Sequence, residues 1–347
     1  MKQFLLLFVL IFMVSLPVSA LEIEAPTVPE AGKVWMPEHT ESFGQALLDL
    51  LKRNLLQLMP ELKQAADLSK KVLGIVLLTG MLQTFGGSTK SACNLAGVLC
   101  IAATLMIQTN GMISMGADTI YEITDYAKLL LPVMTGALAA QGGITASAAL
   151  YAGTAIFNAF LSNLIGSVLV PGIYFYLAIS IVNTATEEEM LRKLGELVKN
   201  SISWLLKILL VIFTSYLGLT GVISGTTDAA ALKAAKVTIS SVVPVVGGIL
   251  SDASESVLVG VGLMKNAAGI YGILAVLSVF LHPFLRIAVH YMFLKFTSGL
   301  CYIFGSKSCC NLVESFSAAM GLLLGMTASG CFLILISTVC FMKGVQL

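Results

Sequence analysis

The sequence predicts an all-α integral membrane protein, and its composition and the spacing of its charges carry this prediction. Hydrophobic residues make up 57% of the 347 residues, charged residues make up 11%, and the mean hydropathy is +0.92. An ordinary soluble domain has about 25% charged residues, so this chain has too few for a water-exposed surface. Several uncharged stretches reach the about 20 residues that one membrane crossing needs, and together they predict a polytopic protein with about six to eight transmembrane helices.

The charge balance and the residue inventory exclude other classes of protein. The formal net charge is +1, which argues against a nucleic-acid-binding surface. The seven cysteines show no CxxC or Cys/His spacing typical of zinc sites, and we interpret them as packing residues. The three histidines have no ligand partner at useful spacing. We therefore expect no catalytic residue, no cofactor and no metal, and we expect that the protein is not an enzyme.

Residues 1–20 have the pattern of a secretory signal peptide. Lys2 precedes an apolar run, and small residues precede a predicted cleavage site after Ala20. The alternative is an uncleaved first helix. If cleavage occurs, the mature chain begins outside the cytoplasm.

Residues 21–70 form a predicted extracytoplasmic segment, which is rich in glutamate and proline at its start. From Ser42 the leucines recur at helical spacing, which predicts an amphipathic helix that is broken by Pro60. A second short helix is expected to follow as far as Lys71. Such helices lie on a membrane surface or dock onto a partner protein, and the sequence leaves both alternatives open.

Residues 71–347 form the predicted polytopic membrane domain. Its candidate spans are residues 72–89, 91–117, two crossings within 129–186, 208–227, 266–285 and a C-terminal span at 315–342, with 287–305 as a weaker candidate. Shorter stretches between them have one apolar and one charged face, which predicts helices lying in the membrane interface. These stretches are 118–128, 187–200 and 228–236.

Two of the connecting stretches carry further detail. In 187–200, the pairs Glu189/Lys193 and Arg192/Glu196 are four residues apart, which is the spacing of ion pairs on one helix face. The stretch 237–265 contains a proline, paired glycines and two carboxylates. Because such a stretch is costly as a plain transmembrane helix, it favours two short helices in a re-entrant or cavity-lining segment.

An internal duplication is also predicted, with repeat 1 at about residues 91–182 and repeat 2 at about residues 202–294. The matched prolines share an offset of 112 residues, and they are Pro132 with Pro244 and Pro171 with Pro283. Because proline removes a backbone donor, we expect the two units to superpose and to break at the corresponding prolines. Repeats of this kind are typical of transporters and channels.

The candidate polar path or interface combines the charges within or beside the membrane stretches with the proline and glycines of the re-entrant segment. Charged groups are costly inside a bilayer, so those found there are the best functional candidates. The candidate residues are Asp228, Lys233, Lys236, Pro244, Gly247, Gly248, Asp252, Glu255, Lys265 and Arg286. The alternative is that these side chains are interfacial and extend their charged ends towards water.

A group of motifs in the second half of the chain is specific enough to compare with known families. Residues 225–236 read Gly-Thr-Thr-Asp-Ala-Ala-Ala-Leu-Lys-Ala-Ala-Lys, and Pro-Val-Val-Gly-Gly follows at 244–248. Ser-Asp-Ala at 251–253 and Leu-Met-Lys-Asn-Ala-Ala-Gly at 263–269 continue the series. With the signal peptide and the order of spans, these motifs resemble the stage III sporulation protein AE family over nearly the whole chain. The exported N-terminal segment is the least similar part.

The resemblance implies a subunit of a secretion-like complex in the mother-cell membrane that surrounds the forespore of endospore-forming bacteria. Implied partners are other stage III sporulation proteins, including a cytoplasmic ATPase and ring-forming membrane proteins, together with the lipid bilayer; a homo-oligomer is left open. The function we expect is that of a channel or permease component. The alternatives are a structural platform that assembles the complex without conducting solute and a stand-alone secondary transporter. The family offers no established catalytic residues to carry over.

Overall fold

The computed structural model describes residues 26–37, 43–85, 90–140, 144–219, 267–304 and 307–344, and these residues form helices without strands. The α-helices are α1 (Glu30–Lys33), α2 (Phe43–Leu56), α3 (Leu58–Phe85), α4 (Lys90–Ala140), α5 (Ile144–Leu164), α6 (Val170–Thr186), α7 (Glu189–Leu219), α8 (Ala267–Phe304) and α9 (Lys307–Gly344). A short π-helix, Ile165–Leu169, joins α5 to α6. The predicted all-α class is confirmed.

Within the described ranges, five helices are long and apolar enough to cross a membrane. They are Lys90–Gly136, Ser147–Thr186, Glu189–Leu217, Gly269–Ile303 and Lys307–Met342. Several predicted spans merge into longer helices, which lowers the number in this part of the chain. The described parts of the candidates 266–285 and 287–305, for example, both lie in α8, and the described part of 72–89 is the apolar end of α3. These helices confirm the expectation of a membrane protein.

Helix α9 is the centre of the bundle. All of its most apolar window is buried inside the protein, and it packs on α4, α5, α6, α7 and α8. Small residues allow close approach, because a Cβ on Gly116 of α4 would lie 2.7 Å from Leu323 Cδ1. In its second half, hydroxyls of α9 donate within the helix, as when Ser329 donates to the Gly325 carbonyl at 2.7 Å. The apolar part of α9 is therefore enclosed by protein, whereas its first turns are partly exposed.

Helix α4 has 51 residues, which corresponds to about 75 Å of helix rise. The prediction of a separate interfacial helix at 118–128 is wrong, because this stretch lies inside α4. Ile120 and Ile123 are buried, whereas Asp118 and Asp125 are exposed on the other side. The stretch is amphipathic as expected, but it contains no proline or glycine to end the helix, and its apolar side packs into the bundle.

Of the three predicted breaks at prolines that the structure describes, those at Pro132 and Pro283 do not occur. Pro132 lies inside α4 and Pro283 lies inside α8. Pro171 is the second residue of α6, which begins directly after the π-helix, so the two members of the second matched pair have different surroundings. Pro244 lies outside the described residues. Pro132 and Pro283 each remove one backbone hydrogen bond from a helix of 51 or 38 residues, and the helix continues through each of them. The duplication itself stays a prediction.

The N-terminal helices divide at a different residue from the predicted one. The break between α2 and α3 falls at Gln57, and Pro60 is the third residue of α3. The first turn of a helix has unpaired N–H groups, so proline is tolerated there. The expected short helix to Lys71 instead continues to Phe85. Gln83 Nε2 donates to Asn94 Oδ1 at 3.1 Å, which joins the end of α3 to the start of α4.

The predicted interfacial helix at 187–200 is the first part of α7, which continues to Leu219. Both predicted ion pairs are confirmed, with Lys193 Nζ 3.1 Å from Glu189 Oε1 and Arg192 Nη1 3.6 Å from Glu196 Oε1. Met190 on the apolar face is 79% exposed. The start of α7 therefore has one charged face and one uncovered apolar face.

Candidate functional site

A polar cavity of about 980 Å³ lies between the α6–α7 hairpin and helices α8 and α9. Its wall carries charged, amide and hydroxyl side chains from all four helices. The charged lining residues are Glu187, Glu188, Glu189, Arg192, Glu196, Lys199, Lys295, Lys307 and Glu314. Five carboxylates and four cations share this wall, so the cavity is polar without a strong excess of either sign. We call it the α6–α9 cavity.

The turn between α6 and α7 shapes one side of the α6–α9 cavity. Helix α6 ends at Thr186, and Glu187 adopts a left-handed conformation with φ of 56°. The N–H of Glu187 donates to the Asn183 carbonyl at 2.7 Å, which closes the end of α6. The hydroxyl of Ser308 in the first turn of α9 donates to the Glu187 carboxylate. This contact fixes the hairpin against the start of α9.

The α8–α9 side of the cavity holds a connected polar group. Lys295 Nζ lies 3.0 Å from Glu314 Oε1, and the Tyr302 hydroxyl donates to Glu314 Oε2 at 3.1 Å. Tyr302 also contacts Asn311 Oδ1 at 2.9 Å. One carboxylate is therefore held by an ammonium and a phenol from the neighbouring helix. The side chains of Lys295 and Glu314 are about half exposed, at 56% and 46%.

The inner end of the α6–α9 cavity is lined by small or hydroxyl residues. Ser317 is 1% exposed, and its hydroxyl has no hydrogen-bond partner among the described residues. Gly321 lies farther along α9, where an added Cβ would lie 3.2 Å from Tyr291 Cε2. From Lys307 to Gly321 the cavity follows α9 over a rise of about 21 Å. It is thus a half-open polar recess that runs along helices long enough to cross a membrane.

A second polar cluster joins the N-terminal helices to α8. Arg286 Nε lies 2.8 Å from Glu61 Oε2 of α3, and the two side chains are 31% and 10% exposed. His290 Nδ1 lies 3.0 Å from the Arg286 carbonyl, and its Nε2 lies 3.1 Å from Gln108 Nε2 of α4. The compatible tautomer has Nδ1–H donating to the carbonyl and Nε2 accepting from the amide. We call this group the Glu61–Arg286 cluster.

One turn before Arg286, the ring of His282 stacks on Trp35 with centroids 4.5 Å apart and an interplanar angle of 17°. Trp35 lies in the turn that follows α1, where its backbone N–H donates to the Gly32 carbonyl at 3.0 Å. The N-terminal part of the chain is therefore attached to α8 at two neighbouring points. Both points lie on the membrane-length helix Gly269–Ile303.

Of the ten candidate residues predicted for the polar path, the structure describes one. Arg286 is described and forms the Glu61–Arg286 cluster. The other nine lie outside the described residues, namely Asp228, Lys233, Lys236, Pro244, Gly247, Gly248, Asp252, Glu255 and Lys265. On the same helix as Arg286, His290 faces α4, whereas Lys295 faces the α6–α9 cavity.

Two parts of these sites were not predicted from the sequence. Glu61 was assigned only to an exported helix, and no local pattern connects it with Arg286. The α6–α9 cavity combines residues of four helices, and no single stretch of the sequence contains them. In the described part of the chain, no group of three or more His, Cys, Asp or Glu residues could hold a metal ion.

Comparison with known proteins agrees with the resemblance seen in the motifs. The family model described as Stage III sporulation protein AE (spore_III_AE) matches residues 38–344. A protein of Bacillus subtilis (strain 168) named Stage III sporulation protein AE is 28% identical over 176 residues. That match covers 50% of this chain and 44% of the relative. No solved structure matches the chain.

Proposed function

The chain belongs to the stage III sporulation protein AE family, and from this premise we propose that it is the channel or permease subunit of a mother cell–forespore transport complex. In this proposal it is a multi-pass protein of the mother-cell membrane that surrounds the forespore, and a signal peptide exports its N-terminal segment. Its partners are other stage III sporulation proteins, including a cytoplasmic ATPase and ring-forming membrane proteins. It is not an enzyme, and another subunit supplies any nucleotide hydrolysis.

The α6–α9 cavity is the observation that supports conduction. Its charged and hydroxyl groups belong to helices that are otherwise apolar enough to cross a membrane. Polar side chains at such positions are stable when they face water or one another. The cavity follows about 21 Å of α9, compared with about 30 Å for the hydrocarbon core of a bilayer. A polar recess of this length along membrane-length helices supports a role as the entrance to a conduit.

Filling the α6–α9 cavity tests this function directly. Ala318 is a small, half-buried residue of its α9 wall, so Ala318→Trp places a large side chain in the recess. We expect the complex to assemble normally while late gene expression in the forespore is lost. The matched control is Leu197→Trp on the exposed apolar face of α7, where both assembly and forespore activity should stay normal.

The two readouts separate conduction from a structural role. If Ala318→Trp accumulates normally but loses both assembly and forespore activity, the protein is a platform for its partners. If it keeps both, the path of solute does not pass through this cavity. Either result contradicts the proposed conduit.

Solvent access to the cavity provides an independent measurement. Ala318 lines the recess, whereas its neighbour Ala319 is fully buried and does not. In a variant with Cys93 and Cys100 replaced by serine, Ala318→Cys should react with a membrane-impermeant thiol reagent and Ala319→Cys should not. These two native cysteines are the ones that are not buried. Protection of both introduced cysteines would show that the recess is closed to water.

A further inference from the structure

Helix α2 has an apolar surface that is wider than the face it packs into the bundle. Its buried residues share one face, and they are Phe43, Ala46, Leu50 and Asn54. Beside that face, the apolar surface continues through Leu51, which is half-buried, to Leu48 and Leu55. Leu48 is 66% exposed and Leu55 is 57% exposed. The helix therefore presents an apolar stripe that no described residue covers.

The residues that precede α2 and those that follow it both contact the same part of α8. Before α2, Trp35 stacks on His282, and after it Glu61 pairs with Arg286. These two anchor residues of α8 are four positions apart, which is about one helical turn or 6 Å. Helix α2 packs on α8 and has limited contact with α3 beyond the turn at Gln57. It is thus held beside one level of α8.

That level of α8 is a boundary between two kinds of surface. The large apolar side chains that α8 exposes all follow Arg286, and they are Met292, Phe296, Tyr302 and Ile303. Before the anchors, residues 272–279 of α8 are buried by other parts of the protein. From Arg286 to Ile303 the helix rises about 26 Å, which is close to the about 30 Å of a bilayer core. The anchors of α2 therefore lie at one edge of the lipid-sized part of α8.

We propose that α2 lies in the membrane–water interface, in the corner between the helix bundle and the bilayer surface, and binds anionic phospholipid. Leu48 and Leu55 insert among the lipids, as expected for a helix with one apolar side in an interface. Lys52 is exposed and lies next to this stripe on the helix surface, so its ammonium can reach headgroup phosphates. The charge on this edge of α2 is thus complementary to anionic headgroups.

Site-specific photocrosslinking of the full chain tests the proposal. The photoreactive residue p-benzoylphenylalanine replaces Leu55 in one variant and Asp49, on the polar side of α2, in the control. Each variant is reconstituted in vesicles of phosphatidylethanolamine and phosphatidylglycerol and irradiated. We expect about fivefold or more phospholipid adduct at position 55 over position 49, measured by mass spectrometry. Exchange of phosphatidylglycerol for phosphatidylcholine, or Lys52→Gln, should lower the yield at position 55.

Other outcomes overturn the proposal. Equal lipid adduct at positions 55 and 49 would show that α2 has no preferred lipid-facing side. An adduct between Leu55 variants and a second copy of the chain would assign the stripe to a protein interface. Both replaced residues are exposed, and matching elution of the two variants in size-exclusion chromatography confirms that they share one fold. The result does not depend on whether the protein conducts solute.

Discussion

Two groups of charged side chains in this protein contain the same residue types but are held in different ways. On α7, Arg192 lies 3.5 Å from Glu189 and 3.6 Å from Glu196, and all three side chains are more than half exposed. Between α3 and α8, Arg286 lies 2.8 Å from a Glu61 side chain that is 10% exposed. The first group forms because its residues are three or four positions apart on one helix. The second forms because two helices that are distant in the sequence pack against each other. The comparison shows that burial and long-range packing, more than the types of charged residue, determine how much an ion pair contributes to the stability of the fold.

Removal of Arg286 should have the largest effect of any single charge change in the two groups. Arg286→Met leaves the Glu61 carboxylate almost buried and without its cation. A fully buried pair loses about 3–5 kcal/mol in this way, and the partial exposure of Arg286 reduces the expected loss to about 2–3 kcal/mol. The measurement is the unfolding free energy in detergent micelles. Arg192→Met on α7 is the matched control and should change stability by no more than about 0.5 kcal/mol.

The second prediction isolates the interaction between Glu61 and Arg286. Glu61→Gln, Arg286→Met and their combination form a double-mutant cycle. We expect a coupling free energy of about 1–2 kcal/mol, because the double variant no longer contains an unpaired carboxylate. If the losses of unfolding free energy in the two single variants simply add in the double variant, the ion pair does not attach α3 to α8. The Glu61–Arg286 pair would then not differ from the exposed pairs of α7.

The comparison also explains how much could be predicted from the sequence. The pairs Glu189/Lys193 and Arg192/Glu196 were predicted because both members of each stand on one helix at a fixed spacing. No such spacing relates Glu61 to Arg286, since their contact depends on how α3 packs on α8. The all-α membrane class was predicted from composition, which does not depend on packing.

Helix boundaries were predicted less well, for a physical reason. The residues at 118–128 change from apolar to amphipathic without a residue that ends a helix, so α4 continues through them. In the same way, α7 continues past residue 200, where the predicted interfacial helix 187–200 was expected to end. Changes in hydropathy mark where a helix changes its surroundings, whereas its ends depend on backbone hydrogen bonds and on packing.

The pair in the α6–α9 cavity should give an intermediate effect. Lys295 and Glu314 are on different helices, as in the Glu61–Arg286 cluster, but their side chains are about half exposed, as on α7. We expect Lys295→Met to lower the unfolding free energy by about 0.5–1 kcal/mol, because Glu314 keeps water and the Tyr302 hydroxyl as partners. A loss as large as that of Arg286→Met would mean that the cavity is dry. The thiol accessibility of Ala318→Cys provides the independent check.

The smallest effect is expected for the Glu189–Lys193 pair at the start of α7. Its side chains are 67% and 70% exposed, and the pair has the four-residue spacing of an ordinary helix surface pair. Such pairs contribute about 0.3–0.5 kcal/mol, so Lys193→Ala should lower the unfolding free energy by no more than that.

The salt dependence of these stability losses provides a further test. At 1 M salt the screening length is about 3 Å, so the difference between Lys193→Ala and the unmodified chain should vanish at high ionic strength. The difference for Arg286→Met should persist under the same conditions, since its partner carboxylate is shielded from solvent. A salt-resistant loss above about 1 kcal/mol for Lys193→Ala would place this surface in contact with protein or lipid and would make the two groups alike.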